Sequence, residues 1–459
     1  MYLQQYFLAC LSHASYLVGD EGSGRAIVVD PQRDVSAYLA DAEAHGMRIE
    51  KVVETHFHAD FLSGHLELAA ATGAGICYGE PARAEYPICT LRDGERIELG
   101  DVQVEVWATP GHTPESISLV VSERGGAPEA VLTGDTLFIG DVGRPDLLGG
   151  AGLTAQEMAR SLYHSLHDRL LTLPDTTRVY PAHGAGSACG RNMSTETSST
   201  IGEQRRLNYA LQPMSEDAFV AMVTEGQPPA PAYFAFDAAR NHQRHALLDE
   251  ESSVTLLSLD DVLARVERGA VVVDARSAGD YAGGHLRGSV NVGLEGRFAE
   301  YAGDVLAPDT AVVLVTDDGH EHEAMVRLAR VGFDMVVGAL REPLRAFMEH
   351  PELTERSSRI SAAELVERRG SGMRLTVLDV RNPGEHALGA IPGAVNIPLP
   401  QLTRRLDEVD TAHPVVLCCA GGYRSMIAAS VLRRHGAADV SDLLGGYEAW
   451  RLASSAATG

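Results

Sequence analysis

The chain has 459 residues, 45% hydrophobic and 22% charged, a length that at the usual domain size holds about three domains with ordinary cores. Its formal net charge of -25 argues against nucleic acid and anionic membrane surfaces as partners and is most simply a solubility feature. The start, MYLQQYFLAC, lacks the basic and long apolar regions of a secretory signal, and no apolar run reaches the roughly 18 residues of a membrane span. Six cysteines without framework spacing point to a reducing cytosol and not to a disulfide scaffold.

Over residues 1–245, short apolar runs alternate with polar turns. RAIVVDP, KVVETHFH, VQVEVWATPGH, EAVLTGD and TRVYPAHG each end a β-rich run on a polar or ionisable residue. VSAYLADAEAHG and LTAQEMARSLYHSLHDRLLTL have apolar spacing near 3.6 and predict helices between them. THFHADFLSGH puts His56, His58 and Asp60 on alternate residues just past a strand, and alternation in an extended segment points all three the same way. His112 in ATPGHTPES, Asp135 in LTGDTLF and His183 in YPAHG each follow a strand as well. Any one of these histidines alone reads as a hydrogen-bonded structural residue; the whole set, gathered at strand ends, reads as a metal site. EGQPPAPAYF is a Pro-rich packing or connecting stretch in the tail of this unit, and DEESS marks a linker near 250.

This set resembles the metallo-β-lactamase superfamily, whose HxHxDH signature is nearly intact, and the resemblance implies an αββα sandwich. The departure is Phe61, where the signature has a histidine that helps hold a second metal. Phe cannot ligate, which counts against the alternative of a zinc-dependent thioester hydrolase resembling glyoxalase II. Two imidazoles and one carboxylate remain, a set suited to one non-haem Fe(II) per chain with open positions. The resemblance is closest to persulfide dioxygenases and implies His56, His112 and Asp135 as iron ligands, with His58, Asp60 and His183 orienting ligands and bound water. GDVGRPDL, containing Arg144 and Asp146, is similar to the family's GRxD element. SSTIGEQRRLN resembles the segment whose arginine helps bind the thiol carrier, so Arg205 is the substrate-binding candidate, beside the plainer reading of a solvated helix arginine. Cys189, in HGAGSACGRNMS, lies in a loop resembling one of fused persulfide dioxygenase–sulfurtransferases; it is either a sulfur relay or a small buried residue. Cys10, Cys77 and Cys89 read as packing residues. The implied reaction consumes O2 and a small-molecule persulfide (of glutathione, coenzyme A or a similar carrier) and gives sulfite and the free thiol.

From 254 onward the chain repeats itself with a period of roughly a hundred residues. VVVDARSAGDYAGGHLRGSVNV and TVLDVRNPGEHALGAIPGAVNI are each preceded by a helix-like stretch and followed by a second strand (AVVLVT, PVVLCC) and another helix. Each copy therefore predicts a small doubly wound parallel-sheet α/β domain, over 254–350 and 358–459. In the last copy a strand ends at Cys419, the loop CAGGYR (with Gly421, Gly422 and Tyr423) follows, and a helix opens near Ser425 with Arg424 at hand. Backbone N–H groups, a helix N-terminus and a guanidinium all favour a thiolate or a persulfide anion. This loop, with DVRNPGEH, IPGAVNIP and LLGGYEAW, resembles the rhodanese family. That implies Cys419 as nucleophile, Asp379, Arg381 and Glu385 as structural ion-pairing residues and Trp450 as packing. Cys418, at the strand end, reads as core.

The first copy keeps Asp274, Arg276, His285 and Asn291, but Thr316 stands in the cysteine's place, and Asp317, Asp318, Glu321 and Glu323 make its loop acidic. A thiolate site needs positive potential, so this domain is read as catalytically silent. The expectation for the whole chain is a cytoplasmic enzyme, a homo-oligomer, in which the iron domain makes sulfite and the Cys419 persulfide converts it to thiosulfate. The reverse order, with thiosulfate charging a small thiol, fits the sequence equally.

Overall fold

The computed structural model describes residues 1–147, 152–191 and 193–456 and divides into two compact units: Met1–Gln227 with Phe234–Glu250, and Pro228–Tyr233 with Glu251–Gly459. Among the described residues no helix is long and apolar enough to cross a membrane.

The first unit is built on two six-stranded sheets. In one, Tyr2–Leu8, His13–Asp20 and Arg25–Val29 run antiparallel, and Arg48–Val53 and Gly75–Gly79 then add in parallel. In the other, Arg96–Glu98, Val102–Ala108, Ile117–Glu123 and Ala130–Gly134 form a meander, to which Arg178–Pro181 adds in parallel after a helical crossover. The alternation of VQVEVWA sends Val102, Val104 and Val106 into the core between the sheets, where they join Tyr16, Val18, Ile27 and Val53. His13–Asp20 is buried along its whole length because both its faces are covered. Tyr16 and Val18 face the other sheet, while Leu17 packs with Tyr38 and Ala42 of the helix Ser36–Ala44. Leu162 and Leu166 cover Val131 and Val179 on the far side, which completes the four layers.

The long helix expected from LTAQEMARSLYHSLHDRLLTL begins at Ala155 under a Thr154–Glu157 capping box. It then loosens into a π turn, Ser165–Arg169, and closes as a 3-10 turn, Leu170–Thr172. Two cysteines read as packing residues are corrected: Cys77 and Cys89 face each other on neighbouring parallel strands and form a disulfide. Cys10 is half-buried.

The second unit contains both copies of the repeat, each with a five-stranded parallel sheet. The registers coincide: Asp274 pairs with Val315 and Asn291, and Asp379 with Cys418 and Asn396. Thr316 and Cys419 therefore occupy one and the same position, a residue beyond equivalent strands. In each copy a buried Asp–Arg pair (Asp274–Arg276, Asp379–Arg381) closes the first turn, and an Asn side chain donates to both backbone carbonyls of that pair. The Pro-rich stretch, read as the tail of the first domain, contributes Pro228–Tyr233 to this second unit instead. Ala232 N–H donates to Asp304 there, and Tyr233 fills the space left by Gly303.

Candidate functional site

In the first unit the ionisable residues gather where strands end, as the sequence predicts, but the reading of THFHAD as one extended face is corrected. The segment turns after Val53, and its three side chains enter three different clusters: His56 with His112 and Asp135, His58 with Asp30 and Glu54, and Asp60 with His183 and Cys189. All nine residues are buried.

The first cluster is set by hydrogen bonds that fix its tautomers. Thr55 Oγ1 donates to Asp30 Oδ2 at 2.9 Å and lies 3.0 Å from His56 Nδ1. A hydroxyl has one proton, so His56 Nδ1 must be the donor to Thr55, and Nε2 keeps its lone pair. His112 reaches the same state because Nδ1 is 2.9 Å from the Arg144 carbonyl, which can only accept. His183 Nδ1 lies 2.7 Å from Asp135 Oδ1, which leaves Asp135 Oδ2 3.9 Å from His56 Nε2 and 3.6 Å from His112 Nε2. Among the described residues, His56 Nε2 and Asp135 Oδ2 are buried without a hydrogen-bond partner. Unpaired buried polar atoms cost on the order of 1–3 kcal/mol each, so converging lone pairs of this kind fit a cation. Burial and then His58 push His56 far below the ordinary imidazole value. Burial opposes ionisation of Asp135, yet His183, His56 and His112 hold its carboxyl well below the usual range. The close approach of Thr55 requires Gly134: its φ is 51°, and a Cβ there would sit 2.5 Å from Thr55 Oγ1.

His58 points away from this cluster. Its Nε2 is 3.1 Å from Asp30 and 3.4 Å from Glu54, and although burial disfavours the charge, the two carboxylates carry its pKa up to about 10. Asp60 lies 2.7 Å from His183 Nε2, so His183 bridges two carboxylates, which raise it against the effect of burial. Cys189 belongs to this group, and burial with Asp60 and Asp135 pushes its thiol well above the ordinary value. Phe61 is 1% exposed and packs its ring 4.0 Å from His13 and 4.4 Å from His58.

Four further contributors were not singled out from sequence. Asp30 and Glu54, at the ends of RAIVVD and KVVE, show only the general signal of an ionisable residue closing an apolar run. His13 is fully buried, and nothing in its sequence context marks it. Asn241, far along the chain, donates to the carbonyls of His58 and Phe61 and so fixes the turn from behind.

Arg144 is 2% exposed and pairs through Nε and Nη2 with Asp146, while Nη1 donates to the Ala188 carbonyl. Its guanidinium therefore braces the Cys189 loop, and its own carbonyl orients His112, which is a positioning role and not the expected substrate contact. Arg205 is not brought to the cluster. It is half-exposed at the end of the helix Ile201–Leu207, bonded to the Leu171 carbonyl and paired with Asp175. Gln204 beside it is the buried residue, linked to Gly140, Ser199 and Asn208.

In the second unit, Cys419 is 1% exposed, and its sulfur accepts from the Gly422 N–H at 3.0 Å and lies 3.4 Å from Ser425 Oγ. Ser425 in turn bonds Asp442, which is held by Arg359. Gly422, at φ 108°, makes this approach possible, and the helix Tyr423–Arg434 starts at the next residue, while Gly421 faces open space. Arg424 makes two 2.7 Å bonds to Glu385, so its charge is shared with that carboxylate and does not bear on the sulfur alone as expected. Tyr423 is also redirected: its Oη donates at 2.5 Å to the Gly293 carbonyl of the middle domain. Cys418 is fully buried core, and Trp450 packs on that core.

Residues 8–183 match the metallo-beta-lactamase superfamily, and 258–349 and 361–453 match the rhodanese-like domain. The chain is similar to persulfide dioxygenase ETHE1 of Bos taurus, at 32% identity over 243 residues, 52% of this chain and 87% of that protein. With the Homo sapiens protein the identity is 31% over 241 residues, again 52% of this chain and 87% of the relative. Among solved structures, a metallo-beta-lactamase of Staphylococcus aureus subsp. aureus COL is 30% identical with a TM-score of 0.67, and covers 74% of this chain and 98% of its own. The chain belongs to the persulfide dioxygenase family of the metallo-beta-lactamase superfamily and carries a tandem of rhodanese-like domains behind that fold.

Proposed function

We propose that the first unit oxidises low-molecular-weight thiol persulfides with O2 to sulfite and thiol, and that the last domain transfers sulfane sulfur through Cys419, with thiosulfate as the joint product. The observation that carries the first half is the pair of fixed tautomers: His56 and His112 both turn an Nε2 lone pair toward Asp135 Oδ2. One Fe(II) held by these three residues would supply open positions and the electrons for oxygen chemistry at sulfur. Around it, Thr55 and the Arg144 carbonyl hold the two imidazoles in place, and His183 holds a proton between Asp60 and Asp135. Phe61 packs its ring on the buried His13 and so supplies apolar surface beside His58. Burial, with Asp60 and Asp135 beside it, keeps Cys189 a thiol, so it is a weak nucleophile there.

In the last domain, Cys419 accepts a sulfane sulfur as its persulfide, whose charge is met by the Gly422 N–H and the start of the following helix. Attack by sulfite on that outer sulfur breaks the S–S bond and releases thiosulfate and the Cys419 thiolate, with no external oxidant or reductant. The thioester-hydrolase alternative is not favoured, because Phe61 supplies no ligand for a second metal.

Metal analysis of purified and reconstituted protein tests the first half. One iron per chain, lost in His56→Ala and His112→Ala, supports it. Two zinc ions per chain with thioester hydrolysis would overturn it.

A further inference from the structure

The silent middle domain has lost its cysteine but kept a cavity. A space of about 590 Å³ lies where its sulfur pocket would be, within the size range of small-molecule sites. Thr316, at the position of the missing cysteine, lines it and is 3% exposed, and among the described residues its hydroxyl has no hydrogen-bond partner. Asp317 and Glu295 also line the cavity, and neither carboxylate makes an ion pair or hydrogen bond among the described residues. The cations on the wall are already engaged. Arg327 donates to the Leu294 and Gly296 carbonyls and to Glu323, and His320 faces the same Glu323 at 3.2 Å. The cavity therefore presents a free hydroxyl and two free negative charges.

One wall belongs to the neighbouring domain. Tyr423 lines the cavity, held there by its bond to the Gly293 carbonyl, and it directly follows Gly422, whose N–H holds the Cys419 sulfur. The residue that lines the cavity is thus the next along the chain from the one whose N–H holds the sulfur.

We propose that this cavity is the docking site for the ammonium group of an aminothiol sulfur acceptor, whose thiol is thereby presented to the Cys419 persulfide. The inference rests on the sulfurtransferase reading of Cys419. In the step it serves, the acceptor thiolate attacks the outer sulfur of the Cys419 persulfide, a new S–S bond forms on the acceptor, and Cys419 leaves as the thiolate. The transfer is redox-neutral, and its product is a small-molecule persulfide of the class consumed by the first unit.

Sulfur transfer from thiosulfate by the full chain, with cysteamine or 2-mercaptoethanol as acceptor, tests the idea. Asp317→Asn with Glu295→Gln should raise the KM for cysteamine about tenfold and leave that for 2-mercaptoethanol unchanged. An equal change for both acceptors, or none, would overturn it. Transfer to cyanide reports the Cys419 chemistry separately. Should that be absent, calorimetric titration of cysteamine into Cys419→Ser still decides: binding weakened about tenfold by the two carboxamide substitutions supports the site. No binding, or binding that the substitutions leave alone, overturns it.

Discussion

The Thr55 hydroxyl gives its one proton to Asp30 and so obliges His56 to donate from Nδ1, which turns the Nε2 lone pair of His56 toward Asp135. This relay lies outside the proposed ligand set, yet it decides the state of one of its members. Thr55→Val keeps the shape and removes the acceptor. Metal affinity should fall roughly 10–100-fold, as for other partners of metal-bound histidines. Competition with a ferrous chelator measures it; affinity equal to the wild type's would mean that the tautomer is set elsewhere.

Because the two proposed sites lie in separate units, they should be separable by mutation. His112→Ala should lower persulfide-dependent oxygen uptake at least about 100-fold and leave thiosulfate:cyanide transfer intact. Cys419→Ser should do the reverse, with sulfite accumulating. Thiosulfate formed by Cys419→Ser would assign the transfer to Cys189.

The middle domain should resist simple repair. Glu321 and Glu323 occupy the first turn of the helix Glu321–Ala329, where the helix dipole would otherwise favour a thiolate. In a Cys419→Ser background, Thr316→Cys should leave sulfurtransfer at background. Measurable transfer there would show that cavity and cysteine suffice without the positive potential.

Asp304 makes the second unit pH-sensitive. Burial, outweighing the Ala232 N–H bond, raises its pKa from 3.8 to about 7. For an acid so raised, the native state keeps a proton that the unfolded chain releases from about pH 4 upward. Stability therefore falls as pH rises through 4 to 7 and is level above that. At about 1.4 kcal/mol per pH unit the effect is at most about 4 kcal/mol. Asp304→Asn keeps an acceptor for Ala232 and removes the titration. In denaturant unfolding, the stability of the variant relative to wild type should grow between pH 5 and pH 8; a constant difference would rule Asp304 out.

Much of this was legible in the sequence because strand ends announce themselves: an apolar run closing on His56, Asp135 or Cys419 says where the chain stops being sheet. The repeat was equally plain, and the coincident registers of Asp274 and Asp379 confirm it. What stayed hidden depends on direction. Alternate spacing placed His56, His58 and Asp60 on one face, but the chain turns, and only His56 joins His112 and Asp135. Arg205 carried a family-like segment, yet its side chain leaves the site for Asp175. Asn241 and His13 act through contacts across long sequence separations, which no local pattern encodes. Residue types announced the chemistry, while side-chain orientation decided which residues share a cluster.

The central claim is an iron-dependent oxidation of persulfide sulfur, and oxygen uptake by the iron-loaded chain with glutathione persulfide tests it most directly. The account predicts rapid uptake, with one O2 consumed for each sulfite recovered as sulfite and thiosulfate together, and none in His112→Ala. No uptake from protein shown to hold one iron per chain would contradict it.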